Sequence, residues 1–148
     1  MIDPPFQHIV ARITGDANGI GKTVVEKVVS QGGKVVLTDI SRNGAKVFES
    51  MGDKTLFTCN DGRMKAVRDS TKRLKDKFGG VDVLVNSTSV LGSEPTYDFE
   101  NKKARSVDLY RCLFDANARR LFNVTLLFDG WHDGGEQARY EYVKRSYC

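Results

Sequence analysis

The sequence predicts an α/β fold, a doubly wound parallel sheet with helices on both faces, and two observations carry this prediction. Short apolar runs alternate with segments of helical periodicity, in the order βαβαβαβ. A glycine-rich turn joins the first run to the first helix, and the second run ends on an acid, Asp39. We expect one domain over all 148 residues, with its core at 9–128 and a divergent tail at 129–148.

The individual elements follow from residue periodicity. The predicted strands are runs rich in apolar and β-branched residues at 9–13, 34–38, 55–58 and 81–85. The predicted helices have apolar residues spaced by three and four, at 20–31, 42–51, 64–78 and 107–128. A long polar loop is expected at 87–105, and the tail could form a short strand or a helix. The sheet is therefore expected to be truncated after its fourth strand and fourth helix.

Arg12 conflicts with a buried central strand. It lies in the middle of the first run, where helices should cover both faces of the sheet. An unpaired buried guanidinium is costly. Two outcomes are therefore open: the side chain reaches an edge of the sheet, or the sheet is compromised.

Composition and charge exclude several classes of protein. Hydrophobic residues make up 40% of the chain and charged residues 28%, which is typical of a globular domain and not of a disordered or membrane-spanning one. The net charge of +4 is spread along the chain, which does not favour a nucleic-acid interface. The three cysteines and two histidines lack metal-ligand spacing, so no metal site is expected.

The glycine-rich turn reads Thr14-Gly15-Asp16-Ala17-Asn18-Gly19-Ile20-Gly21, the spacing of a Rossmann-like βαβ unit that binds a dinucleotide. Gly15 would let the chain turn off the strand, Gly19 would let a pyrophosphate approach the backbone, and Gly21 would let the helix pack on the sheet. Free N–H groups and the dipole at the helix N-terminus favour phosphate. An ordinary glycine turn is the alternative.

Polar residues follow the predicted strands. Asp39 can accept hydrogen bonds from ribose hydroxyls and would repel a 2′-phosphate, which favours NAD over NADP. Asp61 and Asn86 follow the third and fourth strands. Ligands of open parallel sheets bind beyond the carboxyl ends of the strands, so we predict that these residues and the glycine turn form one crevice. Alternatively, Asp61 and Asn86 are ordinary loop residues.

Over roughly residues 9–128, the chain resembles the short-chain dehydrogenase/reductase family. The likeness rests on the glycine turn, Asp39, Asp61, Asn86 and Asn117. Further similarity, at 77–82, 96–97, 115–117 and 121–124, is to members acting on 3-hydroxyacyl-CoA and hydroxysteroid alcohols or ketones. The resemblance implies an NAD-dependent oxidoreductase, a homo-oligomer or a complex with a full-length relative, and a mitochondrial location. The chain's own residues show no targeting signal, so without the resemblance a cytoplasmic location is expected.

The resemblance also implies individual roles. The turn residues expected to contact NAD are Thr14, Gly15, Asn18, Gly19, Ile20 and Gly21. Asp39 would bind the adenosine ribose, Asp61 would lie beside the adenine and Asn86 would line the nicotinamide side. Asn117 would correspond to the helix-four asparagine that holds a water molecule in the proton relay. Its alternative interpretation is a buried amide with satisfied hydrogen bonds.

The catalytic segment departs from the family pattern. Tyr140 and Lys144 have the Tyr-x-x-x-Lys spacing of the family's fifth helix, but no serine lies about a dozen residues earlier. They are therefore either a catalytic pair or a chance match. Hydride transfer at a carbinol also needs a route for the proton. We thus expect little or no dehydrogenase activity from this chain alone, with a non-catalytic NAD-binding or protein-interaction module as the alternative.

Other departures lie around the predicted crevice. Asn86-Ser87-Thr88-Ser89 stands where the family has Asn-x-Ala-Gly, and its larger side chains would crowd a cofactor. Gly62 replaces an apolar residue. Arg119 and Arg120 replace small or apolar residues on a helix that packs against a second subunit in the family.

Overall fold

The computed structural model describes residues 5–15, 19–40, 48–93, 95–104, 106–129 and 143–144. The strands of this described part are β1 (Val10–Thr14), β2 (Lys34–Asp39), β3 (Thr55–Cys59), β4 (Val83–Asn86), β5 (Tyr97–Asp98), β6 (Lys103–Ala104) and β7 (Val143–Lys144). Five of them form the main sheet in the order β3-β2-β1-β4-β7, and every neighbouring pair is parallel. The predicted parallel α/β sheet is confirmed, and β7 adds a two-residue strand to the four predicted ones.

The helices lie close to their predicted positions. They are α1 (Gly19–Ser30), α2 (Met64–Phe78), α3 (Asp108–Phe114) and α4 (Arg120–Asp129). A π-helical turn (Asp115–Arg119) joins α3 to α4, so the single helix predicted at 107–128 contains one irregular turn. Most of the helix predicted at 42–51 lies outside the described residues, and a 3₁₀ helix (Glu49–Lys54) leads into β3. None of the described helices is long and apolar enough to cross a membrane.

The predicted 87–105 loop contains local structure. β5 and β6 pair as an antiparallel hairpin. Asp98 holds its turn, because the carboxylate accepts hydrogen bonds from the backbone N–H groups of Glu100 and Asn101 and from the Asn101 side chain. These bonds, the Asn101 side-chain bond first, hold the pKa of Asp98 below its usual value.

The hydrophobic core has two halves, one on each face of the sheet. One half packs strand residues against α2 and α4, through Val10, Val36, Val67, Leu74, Leu84 and Val124. The other packs the alternate strand residues against α1, through Ala11, Ile13, Val25, Val28, Val35 and Leu37. Because successive strand side chains point to opposite faces, runs that are apolar throughout are required to build both halves.

Arg12 is buried within β1 with only 2% of its surface exposed, and neither outcome considered from the sequence is correct. The strand pairs with β2 and β4 at this position, so the sheet is intact. Nη1 donates a hydrogen bond to Thr71 Oγ1 (2.7 Å) and Nη2 donates to Ser70 Oγ (2.6 Å), both on α2. Nε has no hydrogen-bond partner in the described structure. Burial lowers the pKa of Arg12 to about 10, so the charged form is held at a cost in stability.

Asn117 lies in the π-helical turn and fixes the loop that follows β4. Its Oδ1 accepts a hydrogen bond from the Val90 backbone N–H, and its Nδ2 donates to the Val90 carbonyl, both at 2.7 Å. The hydrogen bonds of the amide are thus satisfied by backbone, as one of the two interpretations proposed, but the residue is half-buried and not buried as that interpretation expected. This contact ties the helix to the loop above the ends of the strands.

Replacing Arg12 with methionine is expected to raise the free energy of unfolding by about 1–3 kcal/mol, because an apolar chain of similar length removes a buried charge that has no ionic partner among the described residues. The hydroxyls of Ser70 and Thr71 keep their bonds to the Val67 carbonyl, at 2.8 and 2.7 Å. Urea unfolding of both proteins measures the difference. Arg12→Lys, which keeps the charge but cannot contact both hydroxyls in the same way, is the control and should be less stable than the parent. A less stable Arg12→Met variant would contradict this account.

Candidate functional site

A cleft of about 250 Å³ opens at the carboxyl ends of strands β1 to β4. The helix from Asp108 to Asp129 forms its other wall, through Cys112, Ala116, Arg120, Leu121 and Val124. The sequence-predicted residues that line it are Thr14, Gly15, Asp39, Asp61 and Asn86. Their predicted convergence is confirmed, because the parallel register brings the ends of all four strands to one edge of the sheet.

Gly15 shapes the end of β1. Its φ is +70°, and a Cβ atom there would lie 2.7 Å from the backbone N and Cα of Thr88. Its N–H donates a hydrogen bond to the Thr38 carbonyl at 3.0 Å. Only glycine fits this position, because both the backbone conformation and the passing loop exclude a side chain. Thr88 itself lines the cleft, at the position where the sequence suggested crowding.

The first turn of α1 contains Gly19, Ile20 and Gly21, none of which is among the residues that line the cleft. Gly19 has φ +58°, and a Cβ atom there would meet no other atom within 4 Å, so the space next to its backbone is open. Gly21 is buried against the sheet and Ile20 is exposed. No acidic residue lies in this turn to offset the positive end of the helix dipole. Asn18 lies outside the described residues.

Asn86 is oriented by neighbours on both sides. The Thr14 hydroxyl donates to Asn86 Oδ1 at 3.2 Å, and Asn86 Nδ2 donates to the Thr125 hydroxyl at 3.3 Å. Thr125 in turn donates to the Leu121 carbonyl at 3.0 Å. Sequence reasoning missed Thr125, whose only signal was a hydroxyl beside the apolar stripe of the helix. This chain of hydrogen bonds connects β1, β4 and α4 at the floor of the cleft.

Asp61 is held by Arg63 on the loop after β3. Its Oδ1 accepts the Arg63 backbone N–H at 3.1 Å, and its Oδ2 lies 2.9 Å from Arg63 Nε. The preceding residue, Asn60, donates its N–H to the Asp39 carbonyl at 3.1 Å, which joins the ends of β2 and β3. This role of Arg63 could not be predicted from the residue pattern, because the ion pair depends on the geometry of the loop.

Two consecutive arginines share the carboxylate of Asp115. Arg119 Nε contacts Oδ1, and Arg120 Nε lies 2.9 Å from Oδ2. The Arg119 hydrogen bond, followed by that of Arg120, holds the pKa of Asp115 below its usual value, and Asp115 raises the pKa of Arg119. Arg119 is exposed, whereas Arg120 lines the cleft. The π-helical turn thus places one cation at the site and one outside it.

The candidate catalytic residues are not assembled in the described part of the chain. Asn117 contacts Val90 and does not line the cleft. Tyr140 lies outside the described residues. Lys144 is a strand residue in register with Asn86, whereas the resemblance implies a lysine on a helix. Among the described residues, no three His, Cys, Asp or Glu side chains are grouped to hold a metal ion.

Comparison with known proteins identifies one protein family over most of the chain. A family model described as short chain dehydrogenase matches residues 9–129. The 3-hydroxyacyl-CoA dehydrogenase type-2 of Drosophila melanogaster is 31% identical over 127 residues, which are 84% of this chain and 50% of that protein. The Homo sapiens protein of the same name is 32% identical over 124 residues, 82% of this chain and 48% of that protein. The chain spans about half the length of these relatives.

Solved structures share the fold. A glucose/ribitol dehydrogenase of the short-chain dehydrogenase/reductase class from Brucella melitensis matches with a TM-score of 0.70 at 22% identity, over 84% of this chain and 50% of that one. The 3-ketoacyl-(acyl-carrier-protein) reductase from Brucella melitensis, solved in complex with NADH, has a TM-score of 0.69 at 26% identity, over 80% of this chain and 48% of that one. Strand order, glycine turn and the match over 9–129 all agree: the chain belongs to the short-chain dehydrogenase family.

Proposed function

We propose that this chain is the dinucleotide-binding part of an NAD-dependent oxidoreductase that interconverts alcohols and ketones, with 3-hydroxyacyl-CoA or hydroxysteroid compounds as the substrate class. The observation that carries the proposal is the single cleft lined by Thr14, Gly15, Asp39, Asp61 and Asn86. The names of the relatives from Drosophila melanogaster and Homo sapiens support the acyl-CoA class.

The residues present fit a dinucleotide. Open space beside Gly19 and the N-terminus of α1, whose first turn contains no acidic residue, suit a pyrophosphate. Asp39 ends β2 at the cleft, where its carboxylate would accept hydrogen bonds from the adenosine ribose. Asp61 would lie beside the adenine. Asn86, oriented by Thr14 and Thr125, would line the nicotinamide side.

The chemistry of the reaction divides between the cofactor and the protein. Bound NAD would accept or supply the hydride. The protein must bind and orient the cofactor and must carry a proton to or from the substrate oxygen. Among the described residues that line the cleft, none is tyrosine, histidine or lysine. The described part of the chain therefore supports cofactor binding more strongly than proton transfer, and a role for Asn117, Tyr140 or Lys144 in the relay remains part of the proposal.

A protein-interaction module is the second candidate function, and exposed apolar side chains favour it. On α3, Tyr110 and Phe114 are exposed and stack on each other, with their ring centroids 6.1 Å apart. On α4, Phe122 and Leu126 are exposed four residues apart. Exposed apolar side chains that are grouped on the surface, as on these two helices, are typical of a region that is covered by another chain. We propose a second copy of this chain, or a full-length relative, as the partner.

NADH is expected to stabilise the protein, because a ligand that binds only the native state raises the free energy of unfolding, by about 2.7 kcal/mol at 100 times its Kd. Differential scanning calorimetry with excess NADH should show a higher Tm, and the shift with NADPH should be smaller. Asp39→Asn should weaken NADH binding by about fivefold and reduce the preference over NADPH. Asp53→Asn, which removes an exposed acid outside the cleft, is the control. A tighter complex of the parent protein with NADPH would refute the role of Asp39.

Turnover of acetoacetyl-CoA with NADH by the chain alone is expected to be indistinguishable from the rate without protein, because no tyrosine, histidine or lysine is among the described residues that line the cleft. The reaction is followed by the decrease in NADH absorbance at its long-wavelength band. The Tyr140→Phe variant should give the same result. Measurable turnover that this variant abolishes would show that Tyr140 is catalytic and that the chain is a complete enzyme.

Self-association through α3 and α4 is expected to depend on their exposed aromatic side chains. Phe122→Glu should shift the protein from dimer towards monomer, because burying a carboxylate at an apolar contact is costly. Sedimentation equilibrium measures the change. Leu91→Glu, which alters an exposed apolar residue outside these helices, is the matched control. A parent chain that is monomeric at all accessible concentrations would exclude the second-copy proposal.

A further inference from the structure

Arg120 occupies space that a side chain on the neighbouring loop would otherwise take. A Cβ atom on Gly62 would lie 2.6 Å from Cβ of Arg120 and 3.2 Å from its Cγ. Asn123 strengthens the same junction, because its Nδ2 donates to the Gly62 carbonyl at 3.1 Å. The absence of a side chain at position 62 therefore allows the carbon stem of Arg120 to form this part of the cleft wall.

The guanidinium of Arg120 is held in place on one side. Its Nε donates to Asp115 Oδ2 at 2.9 Å, and 26% of the side chain is exposed. This bond uses one of the five N–H donors of the group. Among the described residues, no hydrogen-bond acceptor is bound to its Nη1 or Nη2. A planar cation is thus anchored at the cleft, and 26% of its side chain remains exposed.

The strand order decides which part of a dinucleotide would lie next to Arg120. The sheet runs β3-β2-β1-β4. With the adenosine ribose at Asp39 on the end of β2 and the pyrophosphate at the turn after β1, the nicotinamide half extends towards β4. The base attached to the first ribose must then lie towards β3, where Asp61, Gly62 and Arg120 line the cleft.

We propose that Arg120 recognises the adenine ring of the dinucleotide through the face of its guanidinium group; the inference rests on the nucleotide-binding function proposed above. A guanidinium is planar and weakly hydrated, and it stacks on aromatic surfaces. Asp115 holds its plane in position, and Gly62 presents no side chain that would compete for the ring. Arg120 is therefore a base-binding residue, and Asp39 recognises the ribose.

Titration calorimetry with NADH and with ADP, which carries only the adenosine side, tests this assignment. Arg120→Ala and Arg120→Met should each weaken binding of both ligands by about tenfold. Arg120→Met keeps a carbon stem against Gly62, so it remains decisive if the alanine variant does not fold. Arg119→Ala is the matched control: Arg119 has the same charge and contacts the same carboxylate, but it is exposed and outside the cleft lining. Its affinities should not change.

Each other result would overturn the assignment in a distinct way. Unchanged affinities in both Arg120 variants would show that the residue has only a structural role. Tighter binding would show that Arg120 occupies the position of the base. A loss in Arg120→Ala but not in Arg120→Met would assign the effect to apolar packing, and an equal loss in Arg119→Ala would assign it to general positive charge. If the parent protein bound neither NADH nor ADP, the proposed function itself would fail, and this inference with it.

Discussion

The backbone pairing of β1 with a parallel strand on each side is the constraint on which the rest of the molecule depends. Thr14, its last residue, is in register with Thr38 on β2 and with Asn86 on β4. Because all three strands run in the same direction, this one register brings their carboxyl ends to a common edge. The cleft lies where the chain leaves that edge. The same register therefore positions the polar groups at the ends of β1, β2 and β4.

The loops after the strands are held by contacts that only a folded chain can make. Gly15 permits the segment after β4 to cross the end of β1, and the Asn117 amide then fixes that segment to the helix. The loop after β3 is held in the same manner from the opposite side, by Asn123 at Gly62. The helix from 108 to 129 thus holds both loops in place and also forms one wall of the cleft. Its π-helical turn contributes to both roles.

Much of the fold could be predicted from the chain, because its main elements rest on local periodicity. The alternation of apolar runs and helical segments predicted the four main strands and their order along the chain, although not their order in the sheet, and the glycine turn with Asp39 predicted where a ligand would bind. Arg12 could not be understood in this way, since its hydroxyl partners lie 58 and 59 residues away on α2. The hairpin of β5 and β6 was also missed, because two-residue strands carry almost no periodic signal.

The sequence by itself determined the family, the parallel sheet and the set of polar residues at the ends of its strands, since these follow from local patterns and from the handedness rules of parallel sheets. Only the tertiary structure decided how those residues are oriented. Thr125 orients Asn86, Arg63 holds Asp61, and Arg120 enters the cleft beside Gly62. The physical reason is the same in each case: a hydrogen bond, an ion pair or a close approach depends on distances between segments far apart in the chain, and no local pattern records them.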